Sequence, residues 1–179
     1  NESDPLLEML NGGDADGESK VKEWDFEAKT GYTWGQRDNA YRLGVISRNE
    51  LISYIEDIEG KDNDEATNEV RAIEFKTEYP EYADISSSTI AKFYTPIEDY
   101  GNHSLEDTGM DIETYAEYAR QYKTCKGVDN DGDGAADRGT KKSQVMAVID
   151  SLPLTRQQKD ALYYLNGWSA STIWQAPWR

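Results

Sequence analysis

Apolar residues recur along this chain at spacings of three and four, and no stretch alternates between apolar and polar for more than a few positions. That periodicity predicts an all-α fold of short amphipathic helices in repeated helix–turn–helix units. A first helix end carries Leu6, Leu7 and Leu10 and stops at Gly12-Gly13. The next helices fall at 18–29, with Val21, Trp24 and Ala28 inward, and at 35–44, with Ala40, Tyr41 and Leu43. Ser47-Arg48-Asn49-Glu50 spells a capping box, opening a helix that carries Leu51, Ile52, Ile55 and Ile58 and ends at Gly60. Further helices are predicted at 66–77, 86–95 and 111–124. Another carries Val145, Met146, Ile149 and Leu152, and a last one follows a second capping box at Thr155-Arg156-Gln157-Gln158.

Two stretches repeat each other 49 positions apart. Val21 matches Val70, Trp24 matches Ile73, Phe26 matches Phe75, and upstream Leu6 and Met9 fall on Ile55 and Ile58. Each copy is an apolar helix end, a glycine, an acidic turn and a new helix. Such self-similarity marks stacked units that bury their apolar faces on neighbours. Val21/Trp24 and Val70/Ile73 are therefore expected at equivalent buried sites. The acidic turns at 14–18 and 62–65 read as helix caps placed at the positive end of the helix dipole. The chain opens at Asn1 without Met or a leader, so it reads as a fragment that starts inside a repeat.

Charge divides the chain. The formal net charge is −16, and residues 1–100 hold 24 acids and 10 bases against 11 and 9 in residues 101–179. An acidic repeat region at 1–100 and a C-terminal module at 101–179 are expected, with the 97–109 loop as the boundary. The first part lacks the Lys and Arg needed to contact nucleic acid directly. No run of 18 apolar residues occurs, so no membrane span is expected.

Chemistry-bearing residues are sparse. The Asp-rich loop Asp129-Asn130-Asp131-Gly132-Asp133-Gly134-Ala135-Ala136-Asp137-Arg138-Gly139-Thr140 begins as helix–loop–helix calcium sites do. Carboxylates stand at loop positions 1, 3 and 5, with glycine at 6. Asp129, Asp131, Asp133, the Ala135 carbonyl and Asp137 would ligate Ca2+. Thr140 stands where a bidentate Glu is expected, so the site would be weak. The competing reading is an Asp/Gly turn capped by its own side chains. His103 is the only histidine and Cys125 the only cysteine, so neither an intrachain disulfide nor a paired His motif exists. No phosphate loop or nucleophile elbow is present. These absences favour a non-enzymatic role. Trp168, Trp174 and Trp178 crowd the tail as a core lid or a docking patch.

The spelling of the C-terminal half carries a resemblance. Ser151-Leu152-Pro153-Leu154-Thr155, Ala161-Leu162-Tyr163-Tyr164, Gly167-Trp168 and Ala176-Pro177-Trp178 resemble a C-terminal helical module of large phage and prophage proteins of Gram-positive gut bacteria. Upstream, Trp24-Asp25-Phe26 and Glu74-Phe75-Lys76-Thr77-Glu78-Tyr79-Pro80 are similar as well. The resemblance implies a virion-associated structural module, located in virion or host cytoplasm, whose partners are other protein subunits and virion components. An acidic inhibitor or nucleic-acid mimic of a basic host protein is one alternative. A calcium-stabilised extracellular interaction module is the other.

Overall fold

A computed structural model describes residues 15–125 and 142–179, with side chains from Gly17 onward in the first stretch. The described residues are helical, and they contain no β-strand beyond one isolated bridge between Ile97 and His103. The expected all-α class is what the chain adopts. Contacts divide the chain into two compact units, Asn1–Pro80 and Glu81–Arg179. Charge asymmetry pointed instead to a division at residue 100. Charge reports the surface, whereas core contacts decide which elements fold together.

In the first unit, α1 (Ala15–Thr30), α2 (Arg37–Arg42), α3 (Arg48–Glu59) and α4 (Asn63–Glu78) surround one apolar core. Helix α3 packs against both α1 and α4. Its Leu51, Ile52 and Ile55 meet Phe26 of α1 and Ala66, Val70 and Ile73 of α4. The Ser47 capping box forms as its spelling requires: the hydroxyl accepts from the Glu50 amide, and the Glu50 carboxylate accepts from the Ser47 amide. Gly60 then ends α3 at φ 67°, a left-handed conformation that would strain any residue with a Cβ. The acidic turn at 62–65 is a capping box too, in which Asp62 accepts from the Glu65 amide at 2.8 Å.

The proposed repeat fails in one respect. Phe26 and Phe75 are both buried, but Val70 and Ile73 are fully buried while Val21 is 37% and Trp24 44% exposed. Ala28 is exposed as well. The reason is position. Val70 and Ile73 are covered by α3, whereas α1 turns Phe26 toward α3 and leaves Val21 and Trp24 exposed on its other face. Leu43, also expected inward, is exposed at the end of α2.

The second unit contains α5 (Ser87–Ala91), α6 (Ile112–Tyr122), α7 (Lys142–Ser151) and α8 (Arg156–Leu165), with short 3-10 turns at Lys92–Tyr94, Glu98–Tyr100, Glu106–Thr108 and Ala170–Gln175. Phe93, Leu105, Tyr115, Tyr118, Val145, Ile149 and Leu162 form its core. The Thr155 capping box opens α8 as expected. Two of the three tail tryptophans fold back: Trp168 and Trp178 pack on the buried Tyr163, and the Trp178 indole donates to Asp160 at 2.8 Å. Trp174 stays exposed.

Candidate functional site

The sequence singled out Asp129, Asp131, Asp133, Ala135, Asp137 and Thr140, and all six lie outside the described residues. Among the described residues no group of three or more His, Cys, Asp and Glu is placed to hold a metal ion. His103 is exposed with its Nδ1 4.0 Å from Asp107. Asp107 accepts from the Ser104 amide, which holds its carboxyl below the usual range. Cys125 is half-buried, and burial raises its thiol above the ordinary value, which disfavours the reactive thiolate.

What the fold does assemble is a groove on the first unit. Trp24 and Trp34 line it, with Lys20, Glu23 and Glu27 along its edge, enclosing about 310 Å³. Trp24 projects from the open face of α1 because it sits about half a helical turn from the buried Phe26. Trp34 lies in the 3-10 turn Trp34–Gln36 that follows α1. Its ring is fixed from three sides. Phe26 meets it edge-on at 5.0 Å between centroids, its indole N–H donates to Glu59 at 3.1 Å, and the Arg37 guanidinium stacks on it at 4.8 Å. A locked aromatic wall therefore stands beside a solvent-facing tryptophan.

Arg37 and Glu59, which hold Trp34, belong to an ion cluster that sequence reading missed. Glu69 is 1% exposed and bonds both Arg37 and Lys61. Arg37 also bonds Glu59, which pairs with Lys61 at 3.0 Å. Burial alone would raise the Glu59 carboxyl, but Arg37, Lys61 and the Trp34 N–H outweigh it and hold the group below its ordinary range. Lys76 is buried 3.6 Å from Asp38, and desolvation lowers its ammonium despite that carboxylate. The signal was present in the sequence. Glu69 stands among Ala66, Val70 and Ile73 at helical spacing, and an acid in an apolar stripe needs a buried cation.

Comparison of the chain with protein-family models gives no match, and comparison with curated proteins and with solved structures gives none either. Among the described residues no helix is long and apolar enough to cross a membrane.

Proposed function

We propose that this chain is a non-enzymatic assembly module, and that the open face of α1 receives an amphipathic helix from another protein subunit. One observation carries the reading. Val21 and Trp24 are exposed, while their sequence counterparts Val70 and Ile73 are buried under the aliphatic face of α3, an amphipathic helix. The face that is closed on α4 is therefore open on α1, and it is widened by the Trp24–Trp34 groove. Exposed Val and Trp side by side cost solvation free energy that a partner recovers, at roughly 25 cal/mol per Å² of apolar surface covered. The acidic rim at Glu23 and Glu27 favours a partner helix flanked by lysine or arginine. A virion setting agrees with the spelling of the C-terminal half, and the partners are then other structural subunits.

Hydroxyl-radical footprinting tests the reading residue by residue. Trp24 should react readily in the purified chain and fall to the reactivity of Trp34 when the chain is labelled inside the cells that produce it. Equal Trp24 reactivity in both settings would contradict the proposal.

A further inference from the structure

The second unit holds a separate cleft of about 350 Å³ between α5, α6 and α8. One wall is a single face of α6, where Tyr115, Tyr118 and Tyr122 recur at spacings of three and four. Leu165 and Asn166, at the end of α8, form the opposite side. Lys92 and Lys123 complete the lining.

The charge of this lining runs against the rest of the molecule. The chain carries 35 acids and a net charge of −16, yet among the described residues the cleft is lined by two lysines and no carboxylate. Lys123 donates to the Asp84 carbonyl at 2.9 Å, and neither lysine forms an ion pair among the described residues. The phenols are oriented rather than loose. Tyr115 donates to the Thr89 carbonyl at 2.7 Å, and Tyr118 accepts from the Asn166 amide at 2.8 Å, which leaves its own proton free to donate. Burial raises both phenols well above their ordinary value of 10.0, so they are neutral donors at physiological pH.

The half-buried Tyr122 ring, the Tyr118 hydroxyl and two ammonium groups without an ion pair among the described residues complement one kind of ligand: a flat apolar body bearing an anionic group. Among the described residues a cation would meet only lysines, and the half-buried Tyr122 and Leu165 offer a ring an apolar surface that an aliphatic anion would cover less fully. The volume lies at the low end of small-molecule sites, which run from about 300 to 1,000 Å³, and so suits one or two rings. We infer that the cleft between α5, α6 and α8 binds a small aromatic anion, with the ring against Tyr122 and Leu165 and its carboxylate or phosphate between Lys92 and Lys123. This site is independent of the α1 groove and of the assembly reading.

Calorimetry on the full chain with naphthoate, naphthamide and naphthylmethylammonium tests it. Naphthoate should bind roughly tenfold tighter than the neutral amide, the equivalent of about 1.4 kcal/mol, and the ammonium should not bind. Lys92→Glu, a surface change that spares the core, should weaken naphthoate roughly fivefold with an unchanged melting curve. Tyr122→Ala should weaken naphthoate and naphthamide alike. Trp24→Glu should leave naphthoate binding unaltered, which separates this cleft from the α1 groove. Equal affinity for carboxylate and amide, no heat from naphthoate at millimolar concentration, or indifference to Lys92→Glu would each overturn the assignment.

Discussion

Replacing Arg37 with Met removes the main partner of a carboxylate that water cannot reach. The Glu69 side chain is 2% exposed and the Arg37 side chain 14% exposed, so solvent does not replace the lost guanidinium. Removing one member of a buried ion pair costs about 3–5 kcal/mol. Lys61 remains bonded to Glu69 and is itself 29% exposed, which offsets part of that loss. The stack on Trp34 also disappears, worth about 0.5–1 kcal/mol. The expected net loss for Arg37→Met is about 2–3 kcal/mol. Hydrogen exchange of the α3 and α4 amides reads this for the first unit alone, without assuming that both units unfold together. The double change Arg37→Met with Glu69→Leu leaves no charge stranded, because Lys61 keeps Glu59, and it should recover most of the loss. A loss below about 0.5 kcal/mol for Arg37→Met, or a double variant as unstable as the two singles added together, would refute the reasoning.

Four further outcomes follow from local chemistry. Ser47→Ala removes the hydroxyl that accepts from the Glu50 amide and should cost about 1 kcal/mol in denaturant unfolding. The Glu59 carboxyl is lowered from 4.5, so its contribution to stability is full above that value and lost as pH falls through the lower folded value; Glu59→Gln should flatten acid unfolding there. The Tyr41 and Tyr54 phenols are pushed up to about 12, by burial and then by bonds to Glu74 and Asp25. Their contribution is full below pH 10 and lost as pH rises through about 12, visible as alkaline unfolding coupled to tyrosinate absorbance. If the 129–140 loop takes Ca2+, calcium at 100 times its dissociation constant should stabilise the fold by about 2.7 kcal/mol, and Asp131→Ala should abolish the gain. Calorimetry without heat at millimolar calcium would leave an Asp-capped turn.

Helix positions were legible in the sequence because capping chemistry is local. The Ser47, Asp62 and Thr155 boxes all form, each within a four-residue window. Which face of α1 is buried was not legible. Val21, Trp24 and Ala28 share one face and Phe26 stands on the other, so periodicity alone offers two answers. The neighbour decides, and that neighbour is α3, reached only through tertiary packing. The Arg37–Glu59–Glu69–Lys61 cluster was hidden for the same reason. Its members come from α2, the end of α3, the following turn and α4, and only Glu69 carried a local sign, an acid in an apolar stripe.

The central claim is that the open face of α1 docks a helix, and one titration addresses it directly. The probe is a synthetic α3 peptide, Ser47–Gly60, with its exposed acids replaced by lysine. It presents the aliphatic face that covers Val70 and Ile73 in the intact chain and adds charge complementary to Glu23 and Glu27. The account predicts saturable binding to the full chain, a shift of Trp24 fluorescence toward the blue, and loss of both with Trp24→Glu. Binding that survives Trp24→Glu, or no binding at all while Trp24 remains solvent-exposed, would contradict it.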